Sequence, residues 1–258
     1  MCSYSQRGAG INYSYSRDAD ATFNFERDES ITTTLWHSDV SYELQPPGLT
    51  TFFLLSQPST GGDSLFTSQV STLKRFSPQF VAFLRTLKAV HSGVEQAQYS
   101  RTGRRGGIVR REPVENVHPV VRKHPVSGEE ALYVNRQFTR RIVGLKREES
   151  GESCILRLVR VEDNRMSPSD NILNFLFDHI DKSGDNQARV KWTPYTVVLW
   201  DNRITSHVSH GGVIPQLDLI PFTKSAIVDY GESMERRHGV RITPQAERPI
   251  PASIDIVL

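Results

Sequence analysis

A chain of 258 residues with 37% hydrophobic and 23% charged content can bury one sizeable core, and one elaborated domain is expected. Its 31 Lys and Arg against 29 Asp and Glu leave a formal charge of +2, too weak a field to point to a nucleic-acid or membrane surface, so the expected partner is a small molecule. The two cysteines, Cys2 and Cys154, exclude a disulfide framework and suit a reducing cytoplasm. The longest apolar runs, TTFFLL and TVVLW, are far shorter than the ~20 residues that span a bilayer; a homo-oligomer is compatible with this composition.

In chain order, Thr50–Leu55 and Ser64–Thr67 are short, β-branched or aromatic runs that read as strands, separated by the turn-forming PSTGGDS. Ser77-Pro78 then supplies an N-cap and an N1 proline for a helix over QFVAFLRTLKAV, with Phe80, Leu84 and Leu87 on one face. His118 and His124 of HPVVRKHP, flanked by prolines, read as turn residues, and HPVSGEE as a tight turn before a strand at Ala131–Val134. Asp170 caps a second helix, NILNFLFDHI, whose Ile172, Leu173, Leu176 and Ile180 recur at helical spacing. Thr196–Trp200 and Val240–Thr243 complete the strands. Many short strands with few helices make a mainly β architecture, a sandwich or jelly roll with helices packed outside.

The chemistry concentrates at His37-Ser38-Asp39 in TLWHSDVSYELQPPG. About one His-x-acid coincidence is expected by chance from 8 His and 29 acidic residues, so the spacing alone is weak and also suits a solvated strand end. In a strand, however, i and i+2 face the same side, and an imidazole and a carboxylate there supply two of the three ligands of a two-His, one-carboxylate iron site. The third must come from elsewhere. His207, at the end of TVVLWDNRITSH, is the best candidate; His210 and His238 are nearby rivals.

Taken together, WHSDVSYELQPPG, STGGDS, HPVVRKHPVSGEEALYVNRQFTRRIVG, WDNRITSH and DYGESMERRHGVRITPQAERP resemble the taurine dioxygenase family of Fe(II)/2-oxoglutarate-dependent oxygenases, particularly its sulfonate-cleaving members. These blocks occur in family order from about Asp20 onward. The resemblance implies a double-stranded β-helix (jelly roll, cupin-like) with flanking helices, an α+β chain. It implies a dioxygenase that uses Fe(II), 2-oxoglutarate and O2 to hydroxylate the carbon next to a sulfonate, releasing sulfite, aldehyde, succinate and CO2. Matched residue by residue, His37, Asp39 and His207 are the metal ligands, and Ser64 and Arg237 hold 2-oxoglutarate. Arg241 receives the sulfonate and Phe138 walls the substrate pocket. Sulfate esters and aryloxy acids are alternative substrates within the family, and a non-catalytic jelly-roll remnant or mis-spliced product is the alternative to an enzyme.

The chain departs from the family text in three places. Residues 1–258 read as one dioxygenase domain that is N-terminally incomplete, because relatives carry a substantial segment before the position of His37. Inserts at 151–169 and 208–224 interrupt the remaining blocks. Gly-Glu-Ser and Val-Ser, which open them, can both be encoded across GTGAGT, a common intron donor sequence, so both inserts read as retained introns. Bare Arg236, Arg237 and Arg241 would read as a solvated basic stretch, but i and i+4 of a strand share a face, and the spacing permits Arg237 and Arg241 to enter one cavity.

Overall fold

The computed structural model describes residues 10–12, 35–57, 62–101, 109, 111–145, 171–209 and 238–252. A four-stranded antiparallel sheet is ordered β1 (Gly10–Asn12), β12 (His238–Thr243), β2 (Leu49–Ser56), β10 (Val197–Asp201). A second antiparallel sheet is ordered β11 (Thr205–Ser209), β3 (Ser64–Ser68), β9 (Gln187–Val190). The two face each other across aromatic side chains: Phe52 of β2 meets Trp192 just beyond β9, and Phe66 of β3 meets Trp200 of β10. This pair of facing sheets is the jelly roll expected from the resemblance. β10 belongs to one sheet and β11 to the other, so the turn between them, Asn202–Ile204, crosses from sheet to sheet.

Alternation on β2 sets the faces. Thr50, Phe52 and Leu54 are buried, while Leu49, Thr51, Phe53 and Leu55 point away. The outward side also carries Val197, Leu199 and Ile242, all largely exposed. Gly239, at a register shift in β12, lies so close to Phe52 that a Cβ there would stand only 2.3 Å from its Cζ. The position admits only glycine without displacement of the aromatic.

The larger core lies beside the roll. Two further three-stranded sheets are ordered β13 (Ile250–Pro251), β6 (Val121–Lys123), β7 (Glu130–Leu132) and β5 (Glu115–Pro119), β4 (Lys88–Ser92), β8 (Thr139–Ile142). Among the helices are α1 (Gln69–Lys74), α2 (Pro78–Arg85), α3 (Val94–Arg101) and α4 (Asn171–Lys182). Leu84 from α2 and Leu173, Leu176 and Ile180 from α4 pack with Val121, Leu132 and Ile142 of the strands. Fully burying each such side chain contributes about 1.5–3 kcal/mol. No described helix is long and apolar enough to cross a membrane.

Several expectations are corrected by this core. The Ser77 hydroxyl caps α2 by accepting from Phe80 N, as its sequence suggests, but the helix stops at Arg85. Thr86 closes it, and the expected last turn, LKAV, instead leads into β4, where pairing with β5 and β8 buries Ala89, Val90 and His91. HPVVRKHP is not a turn throughout: His118 lies on β5, β6 follows, and only His124 begins a turn, which closes through Gly128 at φ +71°. Asp170 and the insert 151–169 lie outside the described residues; of 208–224, Val208 and Ser209 complete β11 and the rest lies outside them.

Candidate metal centre

Two separate stretches of chain build the centre. His37 does not begin a regular strand, contrary to the alternation argument; it makes a single antiparallel bridge to His207, with N–O distances of 3.1 and 2.8 Å. Asp39, two residues on, starts a turn in which Val40 takes φ +39° and its carbonyl accepts from Glu43 N at 2.9 Å. A β-branched residue in the left-handed region is strained, so surrounding contacts must hold this turn.

Those contacts come from the sheet-crossing turn. Asn202, fully buried, accepts from Asp39 N through Oδ1 at 2.6 Å and donates through Nδ2 to Asp39 O at 3.1 Å and Pro47 O at 3.2 Å. Ser38 Oγ donates to Thr205 O at 3.1 Å. The peptide carrying Asp39 is thereby fixed on both sides by the element that leads into His207. WDNR is part of the text that carries the family resemblance, but the sequence marks Asn202 only as a polar residue between two strand-like runs.

Side chains converge as the backbone dictates. His37 Nε2 and His207 Nε2 each lie 3.8 Å from Asp39 Oδ1, and one ligand atom from each residue falls within 4.8 Å of the others. All three residues are buried. His37 Nδ1 lies 2.7 Å from Leu35 O, which can only accept, so the proton is on Nδ1 and the Nε2 lone pair faces the cluster. Asp39 Oδ2 is buried without a hydrogen-bond partner, as is His207 Nδ1. A buried carboxylate with one unsatisfied oxygen, next to two imidazole nitrogens, has the donor set of a divalent transition metal, and the residues fit such an ion.

Electrostatics keep the donors in their ligating forms. Burial lowers His37 below the ordinary histidine value against the opposing pull of Asp39 and the Leu35 carbonyl. His207 is lowered to about 3, by burial first and then by His37 and Arg241. Burial by itself would raise Asp39, but Arg241, His207 and His37 outweigh it and hold the carboxyl below its ordinary value. Arg241 on β12 donates from Nη1 to Asp39 Oδ1 at 2.6 Å.

The remaining expected residues fall as follows. Phe138 is buried edge-on to His37, with ring centroids 5.9 Å apart, and to Tyr42 at 5.0 Å. Ser64 opens β3 two residues from Phe66, the partner of His207, and so shares its face; its Oγ accepts from Trp192 Nε1 at 3.0 Å. Arg237 and His210 lie outside the described residues. His118 and His124 are committed elsewhere, to Glu43 O at 2.8 Å and Asp201 Oδ2 at 2.9 Å. His238 sits in β12 opposite Ser56.

The profile of the family described as "Taurine catabolism dioxygenase TauD, TfdA family" matches residues 3–209. An alpha-ketoglutarate-dependent sulfonate dioxygenase of Saccharomyces cerevisiae is 40% identical over 245 residues, covering 95% of this chain and 50% of that protein. The alpha-ketoglutarate-dependent dioxygenase cnsP of Penicillium expansum is 37% identical over 221 residues, covering 85% of this chain and 50% of the other. The chain thus spans about half the length of these relatives. Among solved structures, a taurine dioxygenase from Burkholderia xenovorans superposes with a TM-score of 0.56 at 24% identity, over 84% of this chain and 58% of that one.

Proposed function

Because the chain belongs to the taurine catabolism dioxygenase TauD/TfdA family, we propose that it is an Fe(II)- and 2-oxoglutarate-dependent dioxygenase that hydroxylates the carbon bearing a sulfonate. The products are sulfite, an aldehyde, succinate and CO2, with a taurine-like sulfonate as substrate. The observation that carries this reading is the convergence of His37, Asp39 and His207 from distant parts of the sequence into one buried donor set.

Bound at these three residues, iron supplies the oxidising chemistry with 2-oxoglutarate and O2. The chain's own groups hold, orient and exclude water. Leu35 O fixes the His37 tautomer, so that its imidazole presents Nε2 without rearrangement. Asn202 fixes the Asp39 peptide and thereby the direction of its carboxylate. Ser64 and Arg237 are assigned to 2-oxoglutarate, the hydroxyl as a hydrogen-bond partner and the guanidinium as a fork for the distal carboxylate. Arg241 is assigned to the sulfonate: Nη1 is engaged by Asp39, while Nε is buried without a partner and remains a donor for an anion. Phe138 and Tyr42 supply an apolar wall beside His37.

The test is sulfite release. Protein loaded with Fe(II) and given 2-oxoglutarate, O2 and taurine is expected to form sulfite and succinate together. If neither appears with taurine or with other alkyl sulfonates, the proposed activity is wrong. Anaerobic addition of 2-oxoglutarate to the Fe(II) protein provides a separate check, since chelation at an intact three-residue site produces a weak visible charge-transfer band.

A further inference from the structure

A closed ring of buried polar side chains joins the turn that carries Asp39 to the backbone of Phe138. Asn135, 1% exposed, accepts from Phe138 N through Oδ1 at 2.8 Å and donates through Nδ2 to Ser41 Oγ at 2.9 Å. Ser41, two residues beyond Asp39 and fully buried, lies 2.9 Å from His91 Nδ1. His91 Nε2 faces Thr139 Oγ1 at 3.4 Å, and Thr139 Oγ1 accepts from Asn135 N at 2.9 Å.

Donor and acceptor chemistry fixes the direction of the bonds that Asn135 makes. An amide Nδ2 can only donate, so Ser41 Oγ accepts from Asn135. Its own proton has His91 Nδ1 as an acceptor at 2.9 Å, and in that arrangement the imidazole proton is on Nε2, facing Thr139. Burial disfavours a charged His91, and the neighbouring His118 and Arg140 disfavour it further, against a hydrogen bond to the Tyr133 backbone, so the imidazole is held neutral. The two bonds to Ser41 span the Asp39 turn and the Phe138 turn, and they hold only while these keep their relative positions.

We propose that His91 and Asn135 are positioning residues: acting through Ser41, they set the Asp39 turn, and through Asn135 they lock the Phe138 wall to it. The inference rests on the proposed function, and it adds that the metal-ligand turn and the substrate wall move as one body. His91 touches neither metal nor substrate in this scheme. It acts through the one hydroxyl that follows the ligand.

The test uses Co(II) alone as probe, followed by taurine turnover. His91→Leu keeps apolar volume but loses the acceptor, whereas His91→Asn keeps an acceptor near the Nδ1 position and loses volume. Positioning predicts that H91L weakens Co(II) binding about tenfold while H91N stays within about threefold, the scale of contacts that orient a ligand. Simple packing predicts the opposite order. Ser41→Ala breaks the same link from the other end and serves where H91L does not fold; it is expected to match H91L, and the double variant to be no worse than either single one. Folded S41A and H91L proteins that bind Co(II) like wild type, or H91L binding better than H91N, overturn the proposal. With taurine, S41A should form more succinate per sulfite than wild type. Wild-type protein that binds Co(II) but releases no sulfite defeats the functional reading and leaves the ring to be judged on Co(II) affinity; wild type that binds no Co(II) overturns both.

Discussion

Arg241 Nη1 lies 2.6 Å from Asp39 Oδ1, the same oxygen that stands 3.8 Å from the Nε2 atoms of both His37 and His207. One guanidinium therefore neutralises the ligand from within the cluster, offsetting the burial that would otherwise favour the protonated acid. Arg241→Gln removes that offset and raises the Asp39 pKa, but it also removes a positive charge from beside the metal. Co(II) titrations are expected to cross: weaker than wild type toward acid pH, where the variant's carboxyl takes up its proton first, and equal or tighter toward alkaline pH, where both carboxyls are ionised. Curves that stay parallel would show that Arg241 does not govern this carboxyl.

His207→Ala is expected to abolish turnover and reduce metal affinity more than the roughly 10–100-fold that loss of an orienting contact costs. The imidazole packs against Phe66 and Trp200, so the fold should lose about 1–3 kcal/mol but survive. Circular dichroism, urea unfolding and succinate release would decide it; undiminished turnover in the variant would remove His207 from the site.

Asn202→Ala deletes three buried hydrogen bonds, two of them to the peptide of Asp39. At about 1 kcal/mol per bond, stability should fall by roughly 2–4 kcal/mol, with weaker metal binding in the protein that remains folded. Asn202→Asp keeps the acceptor for Asp39 N and loses both donations. It should also be destabilised, because it places a second carboxylate beside the first.

Gly239→Ala drives a Cβ into the Phe52 ring. Overpacking of this kind costs about 1–3 kcal/mol, and Phe52→Leu in the same chain should recover part of it. The measurement is a double-mutant cycle in urea; additive losses would show that the close approach is relieved some other way.

Stability should also fall in mild acid. His91 and His118 are buried beyond the metal centre: burial, followed by His118 and Arg140, lowers His91 well below the ordinary value, and burial, followed by Arg122, lowers His118 to about 4. The unfolded chain takes up these protons near pH 6.5 and the folded chain does not, so unfolding binds protons throughout the window from there to about 4. Stability is full above pH 6.5 and declines as pH drops, by up to about 1.4 kcal/mol per pH unit for each such histidine. Urea midpoints at pH 7 and about pH 5 test the sign; a rise on acidification would contradict it.

Local signals were legible wherever neighbouring residues decide the outcome. Ser77-Pro78 starts α2 because a hydroxyl three residues before an amide satisfies it within one turn. The end of the same helix was not legible, because Leu87 and the residues after it answer to β5 and β8, whose segments begin about thirty and fifty positions later. His-x-Asp spacing likewise suggested a shared face through strand alternation, whereas the structure achieves it with one bridge and a strained turn.

By itself, the order of residues determined which groups were available: two imidazoles, a carboxylate and an arginine of the right kinds, in segments whose text resembles one oxygenase family. Tertiary structure alone decided that they meet. Asp39 is 163 positions from the asparagine that clamps it and 202 from the arginine that neutralises it. No local propensity acts over such distances; the crossing from one sheet to the other brings these groups together, and burial there withdraws the water that would otherwise screen their charges and favour protonated imidazoles.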